Sequence, residues 1–247
     1  MTHADPAKKF ASVVKRLVAA APAPAPYVLE PFGDTPATER ELLFSFLLWD
    51  SNTSLAHAAY RKLIDAFVDL NHLRVAMPEE VVAIVGDRYP KSDHRAARLR
   101  AVLQDIFRRE HTLSLARLGT TGKREARHYL ESLEGMHGFV SGRLLLINFA
   151  SHAVPLDDRL RVMLTEEHAI DPILSVSEAQ HWVEHQIPAE NAHAVSNAFL
   201  HWIDSTALPR HVRETEGESK PKPKSPKTPK PPKTPAPKQP RTPKPKG

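Results

Sequence analysis

Apolar residues recur with the spacing of an α-helix along most of this chain. Four stretches place them at positions i, i+3 and i+4, which lie on one face of a helix and predict a helix packed on one side. No segments with the alternating pattern of strands accompany them. The sequence therefore predicts an all-α fold of about nine or ten short helices. The four stripes are Phe10, Val13, Val14, Leu17 and Val18; Tyr60, Leu63, Ile64, Phe67 and Val68; Leu99, Val102, Leu103, Ile106 and Phe107; and Val195, Ala198, Phe199, Trp202 and Ile203.

Two further segments, Leu42 to Leu48 and Leu144 to Phe149, are apolar on nearly every side. Periodicity alone allows a buried strand or a buried helix for such a run. Because partner strands are lacking, we interpret both as central helices surrounded by other helices.

Composition divides the chain into four parts. We predict an N-terminal helix in residues 1–20 and a proline-rich linker in residues 21–35, which contains the stiff Ala-Pro repeat of residues 21–26. A helical domain follows in residues 36–206, and residues 207–247 form what we call the basic tail.

The basic tail concentrates positive charge. From Lys220 to Gly247 there are nine lysines, one arginine, eleven prolines and no acids, so this stretch carries +10 while the whole chain carries +5. The rest of the protein is therefore acidic, at −5. We expect a disordered, extended tail that binds DNA phosphates; a solvated tail, or one that binds RNA or acidic surfaces, is the alternative. The lysines expected on DNA are Lys220, Lys222, Lys224, Lys227, Lys230 and Lys233.

The chain has no cysteine, which excludes a disulfide framework and a cysteine-bound iron–sulfur cluster. No apolar run approaches the roughly 20 residues of a membrane helix, so we expect no membrane partner. Lys15 and Arg16 interrupt the apolar stretch near the N-terminus, which argues against a signal peptide.

The segment His181 to His185 has the H-x-x-E-H spacing of some zinc peptidases. With 14 histidines in the chain, chance explains this spacing better than a metal site does. We therefore expect no metal and no cofactor.

A glycine-containing turn precedes the second central segment, with the sequence Leu133-Glu134-Gly135-Met136-His137-Gly138, and the acidic pair Asp157-Asp158 follows it. A short turn entering a helix presents free backbone N–H groups and a positive dipole end, which suit a phosphate. A carboxylate beyond that helix could act on the neighbouring sugar. The pattern thus suggests a nucleic-acid site.

This arrangement resembles the helix-hairpin-helix DNA glycosylase superfamily, the endonuclease III-like proteins, over roughly Glu41 to Asp204. The family signature is a Leu-Pro-Gly-Val-Gly hairpin, a helix, a loop and an essential aspartate. Residues 42–54 look like its early core helix and the turn after it. Counted without a gap from Ser141, the aspartate falls on Asp157, with Asp158 as the one-residue-slip alternative.

The resemblance implies a site made from three regions. The partner would be double-stranded DNA, and the implied localisation is cytoplasmic and nucleoid-associated. The implied DNA-binding residues are Gly135, Met136, His137, Gly138, Lys123, Arg124 and Arg127; the base pocket would be Trp49, Asp50, Ser51 and Asn52; and the catalytic acid would be Asp157.

Several family positions differ in this chain. Phe139 stands where bifunctional members carry a nucleophilic lysine, and an aromatic ring cannot form a Schiff base, so lyase chemistry by that route is excluded. Glu134 replaces the hairpin proline and His137 its second glycine. Ser51 or Asn52 replaces the glutamine near the flipped base.

Five arginines between Arg95 and Arg109 lie mainly opposite the apolar stripe of their helix. The sequence predicts a solvated face there, with tracking of a DNA backbone as the alternative.

Three functions remain open at this level. The first is a DNA-binding protein of the endonuclease III-like base-excision-repair fold that lacks lyase activity and is catalytically degenerate. The second is a monofunctional DNA glycosylase that uses Asp157. The third is a helical protein-interaction module with a nucleoid-targeting tail.

Overall fold

Helices, turns and bends account for the secondary structure of residues 6–23 and 28–206, which are the residues that this computed structural model describes, and no strand occurs among them. The predicted all-α fold is confirmed. The lysines assigned to DNA in the basic tail lie outside the described residues. Among the helices of the described part, none is long and apolar enough to cross a membrane.

Eleven α-helices lie within the described ranges, slightly more than predicted, because α4 has only six residues and is too short to show a period. They are α1 Pro6–Ala20, α2 Ala37–Leu48, α3 Thr53–Ala66, α4 Leu70–Val75, α5 Pro78–Val85, α6 Ser92–Glu110, α7 Lys123–Glu131, α8 Gly138–Asn148, α9 Asp158–Glu166, α10 Val176–Gln186 and α11 Ala192–Ser205, with short 3-10 helices at Ala116–Gly119 and Ala189–Asn191.

The two all-apolar segments form the central helices α2 and α8, as predicted. Every residue of α2 from Leu42 to Leu48 is buried, and α8 buries most of its length. The two helices pack against each other; α2 also packs against α3 and α6, and α8 against α7 and α11. A buried ion pair between Glu41 and Arg143, 2.9 Å apart, links them.

Helix α1 packs against α11 and belongs to the same hydrophobic core. Phe10 is buried, and its ring lies edge-on to that of Trp182 at 5.2 Å between centroids. Leu29 and Phe32, from the segment assigned to the linker, are also buried in this core. Part of the segment that its composition assigned to a linker, residues 28–35, therefore packs against the helical core.

Side-chain caps fix the starts of two helices that border the site. The Asn52 side chain accepts a hydrogen bond from the backbone N–H of Leu55 at 2.8 Å and begins α3. The Asp157 side chain accepts a hydrogen bond from the backbone N–H of Leu160 at 2.9 Å and begins α9. Polar side chains at the N-cap satisfy helix amides that have no partner within the helix. The candidate-site residues Asn52 and Asp157 thus each lie at the N-terminus of a helix, where their hydrogen bonds fix their position.

Candidate nucleic-acid site

The predicted hairpin is formed by α7, the turn at residues 132–137 and α8. Gly135 has φ of +81°, and a Cβ atom there would lie 2.8 Å from the backbone oxygen of Arg98 on α6. Only glycine fits this left-handed conformation at so close an approach. Gly135 therefore seats the hairpin on α6.

Charged side chains of α6 hold the hairpin turn in place. Asp105 Oδ2 accepts a hydrogen bond from the Glu134 N–H at 2.8 Å. Arg98 Nη1 donates to the carbonyl oxygens of Gly135 and Met136 at 3.3 and 3.2 Å. Burial alone would raise the pKa of Asp105, but the Glu134 N–H and the neighbouring arginines outweigh it and hold that pKa below its usual range. The turn is therefore rigidly anchored through charged groups.

The first residue of α8 is exposed to solvent. This residue is Gly138, and its amide has no hydrogen-bond partner within the described residues; the amide of Val140 also lacks one there, but Val140 is buried. The Phe139 amide donates to Nδ1 of His137, the N-cap, at 3.2 Å. Glu134, which replaces the hairpin proline, is directed towards Arg108, with 3.7 Å between the charged atoms. An exposed helix N-terminus with free amides favours an anion.

An aromatic stack joins the hairpin to the α2–α3 turn. The rings of His137 and Trp49 lie 4.1 Å apart between centroids and 26° from parallel. Burial, the largest cause, and the nearby charges of Arg98 and Lys91 lower the pKa of His137 to about 4, although Asp50 and Asp158 oppose the shift. The imidazole is therefore uncharged at neutral pH.

Two buried arginines fix the α2–α3 turn, in which Asp50 is left-handed with φ of +50°. Arg95 donates to the carbonyl oxygens of Phe46 and Trp49. Arg159 donates to the carbonyl oxygen of Ser51 at 2.8 Å. These donors satisfy carbonyl oxygens at the end of α2 and in the turn after it. The predicted base-pocket segment, residues 49–52, is therefore held in one conformation.

Asp157 lies beneath this turn and is buried, with 1% exposure. Its Oδ2 accepts a hydrogen bond from the Asp50 N–H at 2.8 Å, and its Oδ1 caps α9. Burial and the adjacent Asp50 carboxylate raise the pKa of Asp157 to about 7, despite those two backbone donors and Arg159. The carboxyl therefore ionises near neutral pH.

Asp158, the alternative match, faces outward, with a side chain 51% exposed. Lys91 Nζ lies 3.3 Å from its Oδ2 and 2.6 Å from Oδ2 of Asp50. Burial lowers the pKa of Lys91, but the two carboxylates outweigh it and leave that pKa raised. A protonated lysine therefore bridges Asp50 and Asp158.

The structure does not bring every predicted residue to this place. Lys123 and Arg124 are exposed at the far end of α7, about 12 Å along the helix axis from the turn. Arg127 donates to the carbonyl oxygen of His152 and pairs with Glu131 at 3.1 Å. Its guanidinium is therefore already engaged within the protein.

No group of three or more histidine, aspartate or glutamate side chains in the described part of the chain is arranged to hold a metal ion. In the H-x-x-E-H segment, the histidine rings instead meet backbone oxygens one turn earlier. His181 Nδ1 lies 2.9 Å from the Ser177 oxygen, and His185 Nδ1 lies 2.7 Å from the His181 oxygen.

Sequence reasoning missed two residues that shape the site. The prediction of a solvated face was wrong for Arg95, which is 3% exposed. Its position four residues before Leu99, on the apolar stripe of α6, was the available signal. Lys91 carries no such signal, because a long-range contact brings it to Asp50.

In this all-α bundle the hairpin helix α8 begins beside the α2–α3 turn, and Asp157 caps the next helix. Comparison with solved structures confirms, at the level of the fold, the resemblance to helix-hairpin-helix DNA glycosylases.

Solved structures show the same similarity. A structure of endonuclease III trapped as a covalent intermediate with DNA, an estranged-adenine complex, is 11% identical, with a TM-score of 0.60 over 79% of this chain and 85% of that chain. A thermostable thymine-DNA glycosylase is 13% identical, with a TM-score of 0.54 over 82% of this chain and 89% of the other. No family model matches the sequence, and no curated protein matches it.

Proposed function

We propose that this protein binds double-stranded DNA through its hairpin and lacks lyase activity. The observation that carries the proposal is the N-terminus of α8, where Gly138 is exposed and its amide lacks a partner within the described residues. Phosphate oxygens are suited to such amides, because the helix dipole adds positive potential at the same point.

The surroundings of α8 support a phosphate contact. The Asp105 and Arg98 contacts fix the hairpin backbone before any ligand arrives, so little conformational entropy would be lost on binding. Phe139, at the family's lysine position, is 6% exposed and packs in the core. It offers no amine, which is why the proposal excludes Schiff-base chemistry at the hairpin.

The basic tail extends the proposal to the whole chain. Its lysines would add contacts to phosphates without regard to sequence and would keep the folded part near DNA. We propose double-stranded DNA as the partner and the nucleoid as the place of action.

The test is a pair of substitutions that differ only in charge. Gly138→Glu adds a carboxylate at the first turn of α8, where the helix dipole favours it for folding but where it repels phosphate. Gly138→Gln adds a side chain of equal size without the charge. The Cβ atom of either side chain would meet only the flexible end of Gln180, whose Oε1 lies 3.0 Å from that position.

We expect Gly138→Glu to weaken duplex binding about tenfold relative to Gly138→Gln at low salt, as measured by fluorescence anisotropy in chains ending at Glu218. Removing residues 219–247 keeps tail contacts from masking the effect. Equal affinities of the two variants would show that α8 does not contact phosphate.

A second candidate function, a monofunctional DNA glycosylase, is favoured by the raised pKa of Asp157 beside a second carboxylate. Perturbed carboxyl pairs occur often at catalytic sites. In that case wild-type protein would release a free base from a lesion-bearing duplex, and Asp157→Asn would abolish release. Absence of release across a broad lesion panel would eliminate this function.

A further inference from the structure

A groove of about 330 Å³ lies between α1 and the segment that enters α11. Phe10, Ile187 and Val195 are buried beneath it, and Val18, which lines it near the end of α1, is 39% exposed. The groove shares no residue with the hairpin, the α2–α3 turn or α9. It is therefore a second concave surface, separate from the candidate nucleic-acid site.

Helix α1 presents an apolar stripe to this groove in addition to the stripe that it buries in the core. The members of the groove stripe are spaced four, three and four residues apart, which is the spacing of a seam between two helices. They are Ala7, Ala11, Val14 and Val18. The stripe covers about three helical turns, or roughly 16 Å. Its alanines, with Ala194 on the other wall, leave room for another helix to approach closely.

Positive charge borders the groove. Lys15 lines it, and Lys8 lies seven residues earlier, on the same edge of α1. Both lysines are exposed, and neither forms an ion pair within the described residues, whereas Arg16 pairs with Glu167 at 2.8 Å.

The local charge is opposite in sign to that of the acidic body. Residues 6–20 and 186–195, which contain the lining of the groove, carry four cations and a single acid, Glu190. An apolar groove with a cationic edge is complementary to an acidic amphipathic partner.

We propose that this groove binds an amphipathic helix of a partner protein, about three turns long, with acidic side chains that face Lys8 and Lys15. A second copy of α1 fits poorly, because α1 carries four cations and no acid and would bring like charges together. The inference does not depend on DNA binding and gives the protein a second interaction surface.

The probe is a synthetic, fluorescein-labelled peptide of about 14 residues, with leucines at the four-three-four spacing and glutamates beside them. A peptide of the same composition in scrambled order has no apolar face, so it measures attraction to the basic tail alone. We expect full-length protein to bind the amphipathic peptide at least about tenfold more tightly than the scrambled one, as measured by fluorescence anisotropy.

One pair of variants tests the groove itself. Ala11→Gln places a longer side chain in the groove, whereas Ser12→Gln changes the next residue, which is exposed and does not line it. Glutamine is favourable in a helix at both positions. Ala11→Gln should weaken peptide binding about fivefold or more, and Ser12→Gln should change it by less than about twofold.

A second pair tests the charge. Lys15→Glu reverses a charge at the edge of the groove, whereas Lys9→Glu reverses one on the opposite side of α1. At low salt, Lys15→Glu should bind the amphipathic peptide about three- to tenfold more weakly than Lys9→Glu.

Equal affinity for the two peptides, or equal effects within either pair of variants, would overturn the proposal. It would also be overturned by a dimer in sedimentation equilibrium that Ala11→Gln dissociates and Ser12→Gln retains, because a second copy would then fill the groove. Ala11→Gln should bind duplex DNA as wild type does, so failure here leaves the proposed function standing.

Discussion

At the scale of single residues, Asp157 joins two elements through one carboxyl group. Its two oxygens accept backbone N–H groups from Leu160 in α9 and from Asp50 after α2. Both contacts are buried, so the side chain stabilises the protein whether or not it has a chemical role. An amide has only one oxygen and would turn an NH₂ group towards one of these donors.

We expect Asp157→Asn to lower the free energy of unfolding by about 1–3 kcal/mol, because one buried N–H loses its acceptor. Urea denaturation at neutral pH measures the loss. Asp158→Asn is the matched control, since Asp158 is half exposed and the change should stay within about 1 kcal/mol there. If both variants unfold together with wild type, Asp157 does not bridge the two elements.

The base-release assay has to be run at a temperature where Asp157→Asn remains folded, and the stability measurement gives that temperature. Only then does loss of base release indicate a chemical role for Asp157. The raised pKa of Asp157 adds that the carboxyl is partly protonated near neutral pH, so release by an ionised Asp157 should increase as pH rises through about 7.

At the scale of secondary-structure elements, contacts from α6 hold the hairpin turn in place. The buried Asp105 pairs with Arg108 and Arg109, both at 2.7 Å, and also accepts the Glu134 N–H. The resulting low pKa means that this stability is present above the unfolded-state pKa, near 4, and is lost as pH falls through the folded-state value.

We expect Asp105→Asn to cost about 2–3 kcal/mol at pH 7, because two arginines lose a buried anionic partner. The difference from wild type should begin to shrink below about pH 4, where the carboxyl of the unfolded state takes up a proton, and should shrink further as pH falls through the lower folded-state pKa. Urea unfolding at pH 7 and below about pH 4 measures the difference in the free energy of unfolding. The exposed Asp65→Asn should change stability by no more than about 0.5 kcal/mol. A difference that does not vary with pH would contradict the assigned role.

At the scale of the whole molecule, charge divides between an acidic body and the basic tail, +10 from Lys220 onward within a chain of +5. Repulsion between the body and DNA makes the tail the main source of nonspecific attraction, whereas the hairpin offers a local contact.

We expect a chain ending at Glu218 to show a shallower salt dependence of DNA binding. The log–log slope should fall by about 0.9 for each phosphate that a tail lysine neutralises in the full chain, or about 5 for five or six such lysines. Titrations of both chains over a range of salt concentrations measure the two slopes. Equal slopes would mean that the tail makes no phosphate contacts, and complete loss of binding would mean that the body makes none.

Local pattern by itself determined the elements. The apolar stripes of α1, α6 and α11 and the all-apolar runs of α2 and α8 were readable because helical periodicity depends on near neighbours. The hairpin glycines and Asp157 were found through motif spacing. The lack of cysteine excludes a cysteine-bound iron–sulfur cluster, because the cysteine ligands are missing.

Tertiary structure alone decided which side chains meet. The Asp50–Asp157 contact spans 107 residues and the Lys91–Asp50 contact 41. Nothing in either local sequence specifies such a pairing, because it depends on how whole helices pack. The same packing buried Arg95, laid His137 on Trp49, and left Lys123 and Arg124 away from the turn. Helix formation follows from residues a few positions apart, whereas a site is assembled from positions that only the folded core brings together.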